Sequence, residues 1–520
     1  MSTSRLRFAL GLFVGLANVS AAWAAEPNAA WLDRIDVADL KRHASFLASD
    51  TLEGRQSGTR GSQAAAAYLA AELRKAGLAP AGSGNDYRQP FGNRYTNVVA
   101  RLPGNDPTLC DEIIVIGAHY DHVGYGTASN SFGPLGVIHN GADDNASGVS
   151  ALLEIAEAVA QSDTPPARTV VFGFWDGEEV ALLGSQHWVA ITPNVATTVK
   201  FALNLDMIGR LRDEGVQVMG WRSAAGLRTA LSAANASEQI PFQFGTVVTP
   251  DSDHQSFYVA RVPVLHFDTG KHDDYHRPTD DVERLNWTGL RQIARVAAQI
   301  ITRAANAESL PMFRREAFHE RIPTTAKADE RTAPPVRFGF TWRPDRIKEG
   351  IVEVAQVVPG YPAALAGLLP GDRLLQFGRW NSGTLAELRT EITRSPSETA
   401  ITWQRAGEPS PRAAALRLLG DPVRWGATGR VDAALPGCIL VADVVETSPA
   451  ETAGLLPGDI VVELDDRAVS QETWDRLATS TEAATLVIER AGRRRTIIAK
   501  PDQFSDSARE TVTARDASSE

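Results

Sequence analysis

The chain has 520 residues, of which 43% are apolar and 22% charged, with a formal net charge of −11 and a pI near 5.5. That length exceeds one ordinary core and implies two or three domains, and the composition is that of a folded globular protein. The acidic balance excludes the basic stripe by which nucleic-acid binders are read, so no nucleic-acid partner is expected.

The N-terminus reads "MSTSRLRFALGLFVGLANVSAAWAAEP". Arg5 and Arg7 form a basic start, Phe8 to Ala17 a short apolar run, and Ala22-Trp23-Ala24 a small-residue cleavage site. This is the layout of a signal peptide over residues 1–24, and it predicts export to the periplasm or the medium. The run is too short to cross a bilayer and no later segment is long enough, so no retained transmembrane segment is expected. Two cysteines, Cys110 and Cys438, fall in different predicted domains, which argues against a disulfide framework.

Residues 25–305 alternate short β-branched runs with helical patterns. "DEIIVIGAH", "ARTVVFGFWDG", "VKFALNLDMIG" and "ARVPVLHFDTG" read as buried strands, and Val149 to Gln161 and Leu290 to Ala304 as helices. The fold class is therefore α/β, a mixed and mostly parallel central sheet with helices on both faces. Residues 306–334 turn polar and proline-spotted and are predicted to be a linker.

An internal repeat follows. "VVPGYPAALAGLLPGD" (Val357 to Asp372) returns as "VVETSPAETAGLLPGD" (Val444 to Asp459), and the same offset aligns "RFGF" at Arg337 with "RWGA" at Arg424. So long a period means two copies of a small β-rich domain, over residues 335–420 and 421–501, with a polar tail at 502–520. The repeated motif resembles that of PDZ domains. The resemblance implies a loop whose backbone N–H groups hold a peptide carboxylate, carried here by Phe338, Gly339 and Phe340, and so peptide or protein C-termini as partners. In the second copy Ala427 stands where the first has Phe340. A repeated domain with a purely structural role is the plainer alternative.

The first region carries the residues able to do chemistry. "IIVIGA" leads into His119-Tyr120-Asp121, "VVFGFWDG" into Glu178-Glu179, "FALNL" into Asp206, and "VPVLHFDTG" into "KHDDYH", ending at His276. Ligand sites of open α/β sheets gather at the carboxyl ends of strands. These clusters and the loop "GADDNASG", with Asp143 beside Asp144, are thus expected to converge. Converging carboxylates repel unless a counter-charge holds them, and a mixed histidine and carboxylate set suits zinc.

The stretches "HYDHVG", "GADDNASG", "DGEE", "NLDMIG", "SDHQSF" and "HDDYHRPTD", in this order, resemble the co-catalytic zinc aminopeptidase family, whose relatives include glutaminyl cyclases and glutamate carboxypeptidases. The opening "LASDTLEGRQSGTRG" before an alanine-rich helix matches the family's usual start. The resemblance implies two Zn²⁺ per chain. His119 and Asp206 would bind one, Glu179 and His276 the other, and Asp144 would bridge them. Glu178 would be the general base, and Asp121 would orient the His119 imidazole. Asp253 and His254 are candidate substrate-site residues. His122, His266 and His272 are less firmly tied to the centre, Asp143 reads as a loop residue, and His139 as a surface or loop residue.

The expected function is that of an exported zinc exopeptidase removing N-terminal residues from peptides. A carboxypeptidase, a dipeptidase or a glutaminyl cyclase on the same fold are alternatives, as is an inactive scaffold working through its PDZ-like pair.

Overall fold

The computed structural model describes residues 29–320, 336–347, 351–381, 383–480 and 482–500. The expected signal peptide, the C-terminal tail and the polar stretch 321–335 lie outside the described residues. Among the described residues no helix is long and apolar enough to cross a membrane. The chain divides into two units, one mainly of residues before 322 and the other mainly of later residues.

The first unit is built on a nine-stranded sheet. Its strands are β1 (Ala79–Pro80), β2 (Arg88–Phe91), β3 (Tyr95–Leu102), β4 (Ile113–His119), β5 (Thr169–Trp175), β6 (Val199–Leu205), β7 (Val216–Met219), β8 (Phe242–Phe244) and β9 (Val264–Asp268). The order is β1-β3-β5-β4-β6-β9-β7-β8, with β2 paired to β3. The four central strands β5, β4, β6 and β9 run parallel, while β3 and β7 flank them antiparallel. These four are the apolar runs read from the sequence. They are buried along almost their whole length because helices cover both faces, which removes the alternation a half-exposed strand would show.

Helices Leu183–Ile191 and His254–Val259 supply Trp188, Phe257 and Tyr258 to a cluster with Val115, Val171 and Trp175. Helices Gly148–Ala160 and Trp287–Asn306 pack on each other and on β4 and β6. The sheet also makes room for Trp175. Gly117 and Gly173 are paired across β4 and β5, and a Cβ on either would lie 2.4 Å or 2.1 Å from the Trp175 indole. The indole can lie flat on the sheet only where two neighbouring strands lack side chains.

The region expected to begin a linker at Asn306 is docked on the first unit as far as Glu320. The last long helix runs through Asn306, Phe313 and Phe318 pack on Tyr258 with ring centroids 5.5 and 4.8 Å away, and Glu320 pairs with Arg222 and Arg314. Composition marked this stretch as polar, but two phenylalanines and one ion-pair cluster anchor it.

In the second unit the repeat becomes two small β-rich cores, one around Phe338, Phe377 and Trp403, the other around Trp425, Trp474 and Ile488. The first copy has β10 (Phe340–Trp342) on β11 (Val354–Val357), and a sheet of β12 (Arg373–Phe377), β13 (Glu398–Gln404) and β14 (Arg412–Arg417). The second joins β15 (Ala427–Arg430), β16 (Ile439–Val444), β17 (Ile460–Leu464), β18 (Arg467–Ala468), β19 (Ala484–Arg490) and β20 (Arg493–Ala499) in one sheet.

The repeated "GLLPGD" has the same job in both copies. Asp372 accepts the Leu369 N–H at 2.9 Å and pairs with Arg405 at 2.7 Å, and Asp459 accepts the Leu456 N–H at 2.8 Å and pairs with Arg490 at 2.6 Å. Each aspartate closes its turn and ties it to a neighbouring strand. The copies differ beside β15. Gln471, on the helix Gln471–Thr479, donates to the Gly429 carbonyl at 3.3 Å, and Trp474 lies so close that a Cβ on Gly429 would stand 2.9 Å from its indole nitrogen. In the first copy the corresponding helix, Leu385–Arg394, instead sets Arg389 over the Trp342 ring at 5.5 Å.

Candidate metal centre

Four strand ends and one loop bring the site together. β4 ends on His119, the turn after β5 carries Glu178 and Glu179, Asp206 follows β6, and the loop after β9 carries His276. The fifth piece, Ala142–Ser147, lies before the helix Gly148–Ala160. It turns at Gly141, whose φ is +58° and where a Cβ would meet the Asp144 carbonyl at 2.2 Å, so glycine is needed there. Asn145 fastens the loop to the strand bearing Asp206. Its Nδ2 donates to Leu205 O at 2.9 Å and its Oδ1 accepts from Met207 N at 3.2 Å.

The carboxylate of Asp144 is shared. Its Oδ1 stands 3.4 Å from His119 Nε2, and its Oδ2 stands 3.0 Å from His276 Nε2. His119 Nε2 also lies 3.2 Å from Asp206 Oδ1, and His276 Nε2 lies 3.3 Å from Glu179 Oε1. The residues read as ligands from the sequence are thus brought together in the expected pairs. Two groups result, His119 with Glu178 and Asp206, and His276 with His122, Asp144 and Glu179. Within each, one ligand atom per residue lies within 4.8 Å of the others.

Asp143 faces the other way. Its Oδ1 accepts the Gly209 N–H at 2.6 Å and its Oδ2 lies 3.1 Å from His272 Nε2. Asp280 completes the loop's support, because its Oδ2 accepts the N–H groups of Asp143 at 2.8 Å and Asp144 at 3.1 Å. Sequence reasoning missed Asp280, and its signal was the second half of "HRPTDD". It also undervalued His122, whose Nδ1 lies 2.9 Å from Glu179 Oε1.

Three other readings gain detail. Asp121 stands beside His119 with both its carboxylate and its backbone carbonyl. The closer partner of His119 Nδ1 is the Asp121 backbone carbonyl at 3.2 Å, against 3.8 Å for Oδ1. The carboxylate also accepts from Ser57 Oγ at 2.7 Å and from the N–H groups of Glu178 and Glu179 at 3.1 and 3.4 Å, so it fixes the loop that carries both glutamates. His139, read as a surface or loop residue, does lie in a loop but is buried there, with its Nε2 2.6 Å from Ser131 Oγ. Asp253 and His254 are also buried, and His254 stacks on His266 with centroids 4.2 Å apart and planes 16° apart, so neither presents itself to an incoming peptide. Asp251, His254 and His266 nevertheless form a further group in which one ligand atom per residue lies within 4.8 Å of the others.

The electrostatics follow from burial and crowding. Burial alone would lower the pKa of His119, but the fields of Asp206, Glu178 and Asp144 outweigh it and hold the imidazole well above its ordinary value. Burial likewise disfavours charge on His276, and its bonds to Asp144 and Glu179 overcome this and raise it to about 10. Burial pushes Glu178 far above the usual carboxylate range, aided by Glu179, Asp206 and Asp253 and opposed by His119. Glu179 is held below its ordinary value, since hydrogen bonds from His122 and His276 outweigh its burial.

A divalent cation fits this donor set. Imidazole nitrogens and carboxylate oxygens face one another at 3.0 to 3.4 Å around a shared carboxylate, in a buried cluster whose negative charge calls for a counter-ion.

In the first repeat, Phe338 is buried, and Gly339 has φ +84° where a Cβ would stand 2.1 Å from Tyr361 Cβ. Phe340 begins β10. Arg337 is buried and donates to five backbone carbonyls, those of Leu419, Ile392, Thr393, Ser395 and Gly420. Its charge is committed to the domain's own framework.

An open α/β sheet that gathers imidazoles and carboxylates around one shared aspartate at its strand ends is an arrangement able to hold divalent metal. Residues 97–301 match the model of Peptidase family M28, and residues 353–405 and 440–498 match that of the PDZ domain. Among curated proteins it is 30% identical over 231 residues to probable leucine aminopeptidase 1 of Trichophyton verrucosum, covering 40% of this chain and 58% of that one. It is 30% identical over 238 residues to leupeptin-inactivating enzyme 1 of Streptomyces exfoliatus, covering 44% and 48%. The chain thus spans about half the length of these relatives. Among solved structures, the LapA aminopeptidase of Legionella pneumophila aligns at 18% identity with a TM-score of 0.46, covering 58% of this chain and 81% of that one.

Proposed function

We propose that the chain is an exported zinc aminopeptidase that hydrolyses N-terminal residues from peptides. It would hold two zinc ions, one on His119 and Asp206, one on Glu179 and His276, with Asp144 common to both. The observation that carries this reading is the shared Asp144 carboxylate, 3.4 Å from one imidazole and 3.0 Å from the other. Export rests on the signal-peptide layout of residues 1–24.

When bound, zinc would lower the pKa of water and polarise the scissile carbonyl. The chain's own residues do the rest. Glu178 lies beside His119 and Asp206, and Asp121 fixes its backbone. That placement suits a general base that would take a proton from the attacking water and pass it to the leaving amine. The leucine aminopeptidase relatives support a free N-terminus as the substrate feature. The PDZ domains would receive extended peptides or protein C-termini, with Phe338, Gly339 and Phe340 around the carboxylate.

The test uses the purified chain with aminoacyl chromogenic amides, either free or N-acetylated. Cleavage of the free amides alone, abolished by a chelator and restored by zinc, is expected, together with two zinc equivalents per chain. Equal cleavage of acetylated substrates would overturn the aminopeptidase reading.

A further inference from the structure

The segment "LEGRQSG" is outside the stretch matched to the M28 family, yet it touches three of the pieces that make the metal centre. The Gly54 carbonyl accepts from Gly124 N at 3.0 Å, and the Arg55 carbonyl from His122 N at 3.3 Å. Ser57 Oγ donates to Asp121, which in turn holds the backbone of Glu178 and Glu179. At its middle sits Arg55, 1% exposed, with a positive φ of 48°.

A buried guanidinium is costly unless its N–H groups are satisfied and its charge compensated. Arg55 meets the first need with carbonyls. Its Nε donates to Tyr120 O at 2.8 Å, Nη1 to Leu47 O and Asn140 O at 2.6 Å each, and Nη2 to Gly141 O at 2.9 Å. Tyr120 directly follows the ligand His119, and Asn140 and Gly141 directly precede the loop of Asp144. One planar fork therefore sets the spacing between the His119 strand exit and the Asp144 loop, and Leu47 anchors it to the helix Val37–Leu47. The second need is met at a distance. Burial lowers the Arg55 pKa to about 10, and the fields of Asp144, Asp121, Asp280 and Glu179 oppose that loss.

The loop is thus gripped from both sides. Asp280 takes its N–H groups and Arg55 takes the carbonyls that lead into it. We propose that Arg55 is a positioning residue for the metal ligands, setting the His119–Asp144 spacing through backbone carbonyls and offsetting the mutual repulsion of the carboxylates before a cation arrives. This rests on the metal-centre reading above.

The experiment measures zinc affinity of the metal-free full chain by competition with a chelating dye, and thermal unfolding of the same samples, for Arg55→Met, Arg55→Lys and Arg168→Met. Arg168 is an equally buried arginine at the opposite end of β5, bonded to Glu112 and to the Ala304 and Ala307 carbonyls. Its variant reports on lost stability alone. Arg55→Met is expected to weaken zinc binding by about 10- to 100-fold, the range found when groups that support metal ligands are removed. Arg55→Lys should lose less, about 3- to 10-fold on the same scale, because one ammonium keeps the charge but cannot reach Tyr120 O and Gly141 O together. Arg168→Met should keep the native affinity despite a lower unfolding temperature. Native affinity in Arg55→Met, or in Arg55→Lys should the methionine variant not fold, would overturn the proposal, as would an equal loss in Arg168→Met. Failure of the unmodified chain to bind zinc would count against the metal-centre reading itself.

Discussion

Asp143 and Asp144 are adjacent in the chain and serve opposite sides of one loop. The Asp144 carboxylate stands between His119 and His276, while that of Asp143 accepts the Gly209 N–H and meets His272. Two like charges can be neighbours here because the backbone turns them apart and gives each its own partners.

That division predicts unequal consequences for the two aspartates. Asp144→Asn is expected to lower metal content at both positions together, because both lose a charged donor. Asp143→Asn should leave metal content near native and reduce stability by about 1–3 kcal/mol through its buried bonds. Elemental analysis and thermal unfolding of the two variants check this, and stripped metal in Asp143→Asn alone would reverse the assignment.

Glu178→Gln should retain metal, since the ligand set does not depend on its charge, and lose about 10²- to 10⁴-fold in turnover as expected for a missing general base. Steady-state kinetics on an aminoacyl amide, with metal content measured on the same sample, make the comparison. Native turnover would remove Glu178 from the role.

In the first PDZ domain, Gly339→Ala forces a side chain into a φ of +84° and towards Tyr361, at a cost of about 1–2 kcal/mol from the backbone alone. The loop proposed to cradle a peptide carboxylate should distort while the metal centre stays as it was. The expected result is a higher KM for long peptides with free C-termini and unchanged hydrolysis of a single-residue amide. Equal KM values for free and amidated long peptides in the native chain would leave this domain without a part in substrate capture.

The Asp372–Arg405 pair gives a pH dependence. Burial would raise the Asp372 pKa, but the Arg405 bonds and the Leu369 N–H outweigh it and hold the folded value below the ordinary one. A depressed folded pKa means stability that is full above the unfolded pKa and lost as pH falls through the folded one. Asp372→Asn should therefore destabilise the domain by about 1.5–3 kcal/mol at neutral pH, and the gap to the native chain should close as the solution is acidified. Calorimetry from neutral pH downwards reads that closure, and a constant gap would refute the charge-based account.

Much of this was legible before any coordinates. The four central strands announce themselves because burial on both faces makes their apolar runs continuous. The flanking strands do not. β2, β7 and β8 have three or four residues each with mixed exposure, too little pattern to separate them from loops. At the site, the clusters that hold His119, Asp144, Glu179, Asp206 and His276 could be picked out because they follow strands or open a helix, while the choice of single residues within them rested on the family resemblance. His122 could not, since its ring reaches Glu179 only through the turn after β4. Asp121 was seen beside His119, but sequence does not show that its backbone carbonyl, at 3.2 Å, lies closer to the imidazole than its carboxylate, at 3.8 Å. His139 looked like a loop histidine, and only the packing of Gly54 and Gly126 around it shows why it is buried.

The bond from Gln471 to the Gly429 carbonyl bears on how the duplicated domains have diverged. A peptide joining β15 as an extra strand would compete with the domain's own helix for that carbonyl, and Trp474 already lies against the same backbone. In the other copy, β10 pairs only with β11 among the described residues, and its neighbouring helix offers an arginine stacked on a tryptophan. Were a guest peptide to add as a strand, the first copy would thus offer it an uncontested seam, while the second would first have to part Gln471 and Trp474 from their own backbone.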